Sequence, residues 1–297
     1  YSGGSVVRLE SDIISLVEGK QICDFIVTWQ DAQAYIKNFY GVNHKFFASF
    51  DTCLREAVNF VNSSGDALDA QEVVILGNAD RLYVGATSGG AYAGISIGQN
   101  KTLVISVDSS VAKKVEISRA SGLKNEMFVV SGGKLIFNES LKATIEIIGS
   151  GDSASPLFSI ANIGELQLNA GVVIRSNTSL AHGGAIRVTS GSKATLTRVS
   201  FEDLNVTSEN GPAYGGCVYA EESTILIDSC AFTKCGTKGT VASSGGAVYA
   251  NKCTLTIKDT RFTDCYSELA TLGANAFGGA IYVEQTEFNL TGDRATN

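Results

Sequence analysis

The sequence is poor in the residues that interrupt β-sheets and in those that most often catalyse reactions. Of the 297 residues only 2 are Pro and only 2 are His. Because Pro cannot donate a ladder hydrogen bond, its scarcity favours a body in which nearly all backbone amides are paired. No apolar run is as long as a membrane-spanning helix, so we expect no direct membrane insertion by these residues. The net charge of −7 argues against nucleic acid and anionic membrane surfaces as partners.

A block of Gly-Gly, a small residue and an aliphatic residue returns four times in the last third of the chain. The copies begin at Gly183, Gly215, Gly245 and Gly278, so they are spaced 32, 30 and 33 residues apart. Each of the first three is followed by a segment of alternating polarity that ends in Phe, which is typical of a strand. A unit of about thirty residues, made of short strands and glycine corners, indicates one coil of a parallel β-helix.

The same period continues more faintly upstream. We therefore expect about six coils over residues 73–297, in a rod about 30 Å long at ~4.8 Å per coil. Residues 1–72 differ and are predicted to form an N-terminal α/β cap that covers the open edge of the first coil. The cap is predicted to contain a hairpin over Ile13–Val17 and Ile22–Val27 and short helices over Trp29–Phe39 and Asp51–Ser63, the second with Asp51 as its N-cap.

The last repeat stops part-way through a coil. The position that matches Phe262 is Ala295, so Asn297 falls inside an unfinished coil. We expect that the natural chain continues, or that another subunit docks head to tail at this uncapped end, which would build a filament.

Three tyrosines recur at one position of the repeat. Tyr219, Tyr249 and Tyr282 occupy it in successive blocks, and Arg187 holds it in the first block. Strand alternation points these side chains outward, where they are predicted to form an exposed strip that binds a sugar or a protein partner. The alternative is that the rings pack against one another across coils, beneath a corner loop.

The seven cysteines do not fix the redox compartment. Cys235 and Cys265 occupy the same repeat position, so they are predicted to be vertical neighbours, either as a buried thiol ladder or as a disulfide. Cys23 and Cys53, both in the cap, are the preferred disulfide. A zinc site is disfavoured because no tight Cys-x-x-Cys pair occurs, and we expect no cofactor.

Six Asn-x-Ser/Thr sequons favour a glycosylated protein of the cell exterior, although ordinary polar turn residues would give the same pattern. The candidate glycosylation sites are Asn62, Asn100, Asn138, Asn177, Asn205 and Asn289.

The Gly-Gly-Ala-Ile/Val block with its Phe element resembles the right-handed β-helix repeat proteins of the pectin-lyase-like fold, and in particular the polymorphic-membrane-protein type of surface adhesins. That family carries Phe-x-x-Asn, whereas this chain has Leu or Cys in place of the Asn, as at Phe232 and Cys235. The resemblance is clear over residues 183–297 and faint over residues 73–182. It implies an all-β protein, a right-handed parallel β-helix solenoid, used at the cell surface for adhesion or matrix building.

The same fold also houses polysaccharide lyases and hydrolases, which need gathered carboxylates. Aligning the coils instead places Asp203, Lys234 and Asp264 in one column and Asp228 beside Lys258 in another. Alternating signs are typical of a solvated ionic ladder.

We therefore predict a non-enzymatic extracellular or cell-surface protein that acts in adhesion or as a subunit of a surface layer or filament. Its predicted partners are carbohydrate or a host or neighbouring surface protein. His182, which directly precedes a Gly-Gly pair, is predicted to be a surface turn residue. The alternative is a polysaccharide lyase or hydrolase with an unrecognised site.

Overall fold

A computed structural model of the chain describes residues 32–37, 44–63, 70–85, 92–271 and 275–292. All of them belong to one compact unit, Ala32–Asn297. The predicted hairpin over residues 13–27 and the cysteine Cys23 lie outside the described residues.

The unit is a stack of coils, and each coil contributes one strand to each of three parallel sheets. The strands of the first sheet are Ala70–Ile75, Thr102–Val107, Lys134–Phe137, Glu165–Leu168, Lys193–Thr197, Thr224–Asp228, Thr254–Lys258 and Glu287–Thr291. The strands of the second sheet are Arg81–Val84, Val115–Arg119, Ile145–Ile148, Val172–Ser179, Ser200–Ser208, Ala231–Thr233 and Arg261–Thr263, with Gly236–Gly239 and Tyr266–Leu269 extending it. The strands of the third sheet are Ile95–Ile97, Phe128–Ser131, Phe158–Ala161, Ile186–Val188, Val218–Glu221, Val248–Asn251 and Ile281–Glu284. A short fourth sheet contains Ala213–Tyr214, Ala242–Ser244 and Asn275–Phe277.

The parallel β-helix is therefore confirmed, with about seven turns rather than six. The early turns lack the full block of Gly-Gly, a small residue and an aliphatic residue, so the upstream repeat is faint and one turn was not counted. The repeat register is also confirmed, because Val218 pairs with Val248 and Val248 pairs with Ile281 in parallel ladders.

Alternation along the strands builds one continuous apolar interior. Phe201 and Phe232 are fully buried, and their rings stack at 4.6 Å between centroids. The ring of Phe232 in turn stacks on Phe262 at 4.9 Å. Full burial of one such side chain is worth about 1.5–3 kcal/mol, so the repeated column is a main source of stability.

The two glycines of each of the first three blocks have different structural roles. The first, such as Gly215 with φ +61°, adopts the left-handed conformation that the corner requires. The second allows the next coil to come close, because a Cβ on Gly216 would collide with the carbonyl groups of Gly236 and Gly246. The steric role predicted for the pair thus divides into a conformational part and a contact part.

The described part of the predicted N-terminal cap contains one helix and two strands. The helix predicted over residues 51–63 is present as Phe50–Ser63, but its N-cap is Ser49, whose Oγ accepts a hydrogen bond from the amide of Thr52 at 3.3 Å. Asp51 instead lies buried in the first helical turn, where its carboxylate accepts hydrogen bonds from Arg55 at 2.7 Å and from the amide of Gly85 at 2.7 Å.

The helix predicted over residues 29–39 is wrong in its described part. Ala34–Lys37 is a strand that pairs antiparallel with His44–Phe47 and with the strand that contains Val73. Both Ala34 and Ile36 are fully buried, because side chains two residues apart on a strand face the same core. Pairing with the first coil thus overrode the local helical pattern.

Candidate functional site

The predicted tyrosine strip is part of a larger stack of rings on the outer face of the third sheet. The centroids of Tyr219 and Tyr249 are 5.4 Å apart with an interplanar angle of 4°, and those of Tyr249 and Tyr282 are 5.4 Å apart. A second set of rings lies against them, since Tyr214 stacks on Tyr249 at 4.6 Å and His182 stacks on Tyr219 at 5.1 Å. We call these five rings the aromatic ladder.

The middle of the aromatic ladder is buried and its other three rings are half-buried, which corrects the expectation of an exposed strip. Tyr219 is only 7% exposed and Tyr249 only 6%. Their ring faces are occupied by neighbouring rings, so a sugar ring has no free face to stack on. Arg187 is exposed and lies 6.0 Å from the ring of Tyr219, where it closes one end of the ladder. In the middle of the ladder, Tyr219 and Tyr249 therefore pack against each other across coils, as the alternative interpretation of the tyrosines predicts.

His182 is a member of the ladder rather than a surface turn residue. Its ring lies between Tyr214 and Tyr219, and burial lowers the pKa of the imidazole. The imidazole is therefore neutral near pH 7. The sequence carried a readable signal, because His182, Tyr214 and Phe277 each stand directly before a Gly-Gly pair.

The phenols of Tyr219 and Tyr249 are held in their protonated form. The hydroxyl of Tyr219 donates to Glu221 Oε2 at 2.9 Å, and that of Tyr249 donates to Glu284 Oε2 at 3.4 Å. Burial and these carboxylates raise the pKa of both phenols. A group that accepts a proton in catalysis needs a pKa near the working pH, which these two phenols do not have. They are suited instead to packing and hydrogen bonding between coils.

The outer face of the second sheet carries a second candidate site, near the N-terminal end of the stack. We call it the cationic face and define it by Arg81, Tyr83, Lys114 and Arg175 with the carboxylates Glu116 and Glu146. A surface groove of about 460 Å³ is lined by Arg81, Tyr83, Lys114 and Glu116 together with Asp80 and Lys113. Tyr83 is 49% exposed there, unlike the central tyrosines of the aromatic ladder.

Ion pairs connect the coils across this face. Arg81 binds Glu116 Oε2 through Nε at 2.9 Å and through Nη2 at 2.8 Å. Lys114 lies between the carboxylates of Glu116 and Glu146, at 2.7 and 3.4 Å. Arg175 reaches Glu146 Oε2 from the far side at 2.7 Å. Glu116 and Glu146 are direct ladder partners on adjacent coils, and the three cations separate and flank their two carboxylates.

The cations of this network face solvent and the carboxylates lie beneath them. The side chains of Arg81 and Lys114 are 50% and 48% exposed, whereas those of Glu116 and Glu146 are 14% and 15% exposed. Hydrogen bonds from Lys114 and Arg81 hold the pKa of Glu116 below its usual value. The solvent-facing members of this network are therefore its cations, although Asp80 is also exposed in the groove and the chain as a whole has a net charge of −7.

Sequence reasoning missed the cationic face because the early coils lack a marker that fixes their register. Arg81 and Glu116 are partners in the ladder, yet no glycine block aligns them. In the later coils the marker exists, and there the predicted pair of Asp228 and Lys258 is formed at 3.9 Å.

Comparison with known families agrees with the architecture. Residues 158–297 match a family model described as a right handed beta helix region. The chain is a right-handed parallel β-helix. No curated protein and no solved structure gave a significant match. At 14 residues the helix Phe50–Ser63 is too short to cross a membrane, and the described ranges contain no candidate span. Within those ranges no group of three or more His, Cys, Asp or Glu side chains has an arrangement that could hold a metal ion.

The cysteines of the β-helix carry free thiols throughout the part of the chain that the structure describes. Cys235 and Cys265 are vertical neighbours as expected, and they form no disulfide. Cys53 is buried in the cap as a free thiol, and its predicted partner Cys23 lies outside the described residues.

The sequons differ sharply in accessibility. Asn100 and Asn289 are exposed, whereas Asn138 and Asn205 are half-buried and hydrogen-bonded. Asn177 is only 1% exposed, and its Nδ2 donates to the carbonyl of Gly184 at 2.6 Å. A glycan on Asn177 is incompatible with this buried position, so that candidate site is corrected. The side chain of Asn62 lies outside the described residues.

Proposed function

We propose that the chain is a non-enzymatic β-helix of the cell exterior that binds acidic carbohydrate through the cationic face. In this role it acts in adhesion or as a structural subunit of a surface layer or filament. The observation that carries the proposal is the exposed aromatic ring of Tyr83 beside a layer of solvent-facing cations whose carboxylate partners lie beneath.

The geometry suits a linear, negatively charged glycan. Arg81, Lys114 and Arg175 belong to the first, second and fourth coils, so they extend over about 14 Å at ~4.8 Å per coil. Carboxylate or sulfate groups repeated along one glycan chain can reach several of these cations together. Arg offers paired N–H donors to such groups, and the face of Tyr83 offers a platform for a sugar ring.

The charged groups of this face are poorly suited to acid–base catalysis. A general acid needs a raised carboxyl pKa and a general base needs a lowered ammonium pKa. Here the pKa of Glu116 is lowered, while the carboxylates of Glu116 and Glu146 raise the pKa of Lys114. Both shifts favour the charged forms, which bind ions and do not exchange protons near neutral pH.

Binding measurements on an immobilised polyuronate and a sulfated glycan test the proposal. Tyr83→Ala and Lys114→Gln should each weaken binding about tenfold, and affinity should fall steeply with added salt. Lys238→Gln is the matched control, because Lys238 is an equally exposed, ion-paired lysine on another part of the surface. Equal affinity for the wild type, the two cationic-face variants and the control would reject the cationic face as the binding site.

A turnover assay on the same glycans, with and without calcium, tests the non-enzymatic part. We expect no product, and calcium-dependent release of unsaturated ends would favour the polysaccharide lyase instead. The proposal also includes head-to-tail self-association of the chain, which sedimentation over a range of protein concentrations tests.

A further inference from the structure

Three thiols converge inside the last described coils. Cys217 and Cys235 are fully buried, and Cys265 is half-buried. Cys235 and Cys265 hold matching places in successive coils, because Gly236 pairs with Tyr266 and the amide of Tyr266 donates to the carbonyl of Cys235 at 3.0 Å. The Cys265 thiol also lies 3.7 Å from the carbonyl oxygen of Phe232, in the coil of Cys235.

Cys235 is the centre of this cluster. Its thiol donates to the carbonyl of Thr233 at 3.8 Å, and the neighbouring thiols of Cys217 and Cys265 both shift its pKa. The remaining coil cysteines have different surroundings, since the thiol of Cys253 donates to the carbonyl of Asn251 at 3.1 Å and that of Cys230 to the carbonyl of Leu196 at 3.4 Å. Among the described cysteines, Cys235 and Cys265 are thus neighbours in matching positions of successive coils, whereas the thiols of Cys230 and Cys253 have backbone partners.

We propose that Cys235 and Cys265 form an oxidation site, at which a small disulfide such as oxidised glutathione converts the two thiols into a reversible disulfide between successive coils. The half-buried Cys265 reacts first. Its thiolate attacks one sulfur of the small disulfide and releases one glutathione thiolate. Cys235 then loses its proton and attacks the sulfur of Cys265, which releases the second glutathione. Two protein thiols are oxidised, and one small disulfide is reduced to two small thiols.

The coil geometry permits this bond and makes it labile. Residues in matching positions of neighbouring parallel strands have Cα atoms about 4.8 Å apart, within the range of disulfides. Their Cβ vectors are nearly parallel, so the bond forms with strain, and strained disulfides are more easily reduced. The resulting link would join the last two coils only under oxidising conditions.

The local environment also sets the speed of the reaction. The contact with Cys235 and burial raise the pKa of the Cys265 thiol, and the contact with Cys217 contributes most to the raised pKa of Cys235. Only a small fraction of either thiol is ionised near pH 7. Because the thiolate is the nucleophile, the rate should rise about tenfold for each unit of pH.

Peptide mapping after incubation of the folded chain with oxidised glutathione tests the proposal. We expect a cross-link between Cys235 and Cys265 that dithiothreitol reverses, while Cys253 remains a thiol that is alkylated only after unfolding. Cys265→Ser should slow oxidation of the cluster at least about tenfold. The matched variant Cys253→Ser should leave the cross-linking rate unchanged.

Three results would overturn the proposal. One is glutathione that stays attached to Cys265 without any cross-link to Cys235. The others are cross-links to Cys253 at a comparable rate, and no oxidation of the cluster at any pH at which circular dichroism reports a folded chain. If Cys265→Ser does not fold, the mapping of the wild-type cross-link still decides between these outcomes.

Discussion

Replacement of the second glycine of a block by alanine tests how closely the coils are stacked. A Cβ on Gly216 would lie 2.7 Å from the carbonyl carbon of Gly236 and still nearer to the carbonyl oxygens of Gly236 and Gly246, although real Cβ atoms essentially never approach within 3.0 Å. Ordinary contact between carbon atoms needs about 3.5 Å, so the neighbouring backbone must retreat by about 1 Å. The obstacle is backbone, which cannot rotate away as a flexible side chain would.

That retreat breaks hydrogen bonds between two coils. The amides of Gly215, Gly216 and Cys217 donate to carbonyls of the next coil at 3.1, 3.1 and 3.0 Å. Lengthened by about 1 Å, these contacts no longer act as hydrogen bonds. At about 1 kcal/mol each, and with some lost packing, Gly216→Ala should cost roughly 3–4 kcal/mol. For a chain of this size the melting temperature should fall by roughly 5–6 °C.

Two other glycines provide matched controls for thermal melting followed by circular dichroism. Gly151 has no atom within 4 Å of the position that a Cβ would take, so Gly151→Ala should change Tm by less than about 2 °C. Gly191 has φ +70° and only a distant contact, at 3.8 Å from Ile163, so Gly191→Ala measures backbone strain alone, about 1 kcal/mol. If Gly216→Ala and Gly151→Ala have the same melting temperature, the coils are not in the close contact described.

Three further outcomes follow from burial and charge. Tyr249→Ala should lower Tm by several degrees without weakening glycan binding, because its ring is buried in the ladder. As a control, replacement of Tyr92, which is 50% exposed, should leave Tm nearly unchanged. A Tyr249→Ala variant that loses glycan binding with unchanged Tm would contradict the burial of this ring. Because the pKa of Glu116 is lower in the folded state, its stabilising effect is present at neutral pH and is lost as the pH falls through that pKa. Glu116→Gln should therefore lower Tm near pH 7 and have little effect on Tm near pH 2. An equal change in Tm at both pH values would contradict the ion pairs of Glu116. When the chain is secreted from eukaryotic cells, Asn100→Gln should remove a glycan by mass spectrometry and Asn177→Gln should not; a glycan on Asn177 would contradict its buried position.

The late coils could be predicted from the sequence because their register has a repeated marker. Every Gly-Gly block fixes the position of the next strand, so pairing of Val218 with Val248 follows from spacing alone. The early coils turn without such a marker. Their corners include other residues in the left-handed conformation, such as Asn100 with φ 60° and Asn162 with φ 54°, which no short motif announces.

The burial of the aromatic ladder could not be read from alternation. Alternation correctly places Tyr219 and Tyr249 on the outer face of a strand, but it does not predict which other side chains cover that face. Here His182 and Tyr214, from the residue before each glycine pair, fold back over the sheet. Such a cover depends on the path of a corner, which is a tertiary property.

In the cap, the secondary structure of residues 34–37 could not be predicted because a helical sequence pattern competes with strand pairing to the first coil. Residues 34–37 fit a helical spacing and a strand alternation equally well over so short a segment. The exposed ladder groups of the first coil decide in favour of the strand, and the outcome places Ile36 opposite Val73.

The most direct test of the stacked coils is a set of distances along the outside of the first sheet. Lys134, Thr224, Thr254 and Glu287 lie in one column, three, four and five coils apart from Lys134. Spin labels carried on unnatural amino acids at Lys134 and at each of the others avoid the buried thiols, and pulsed electron paramagnetic resonance then measures each pair. Parallel stacking predicts separations that rise in even steps of about 4.8 Å, from roughly 14 to roughly 24 Å. Separations that do not increase in this order would contradict the parallel stack on which the two proposed sites depend.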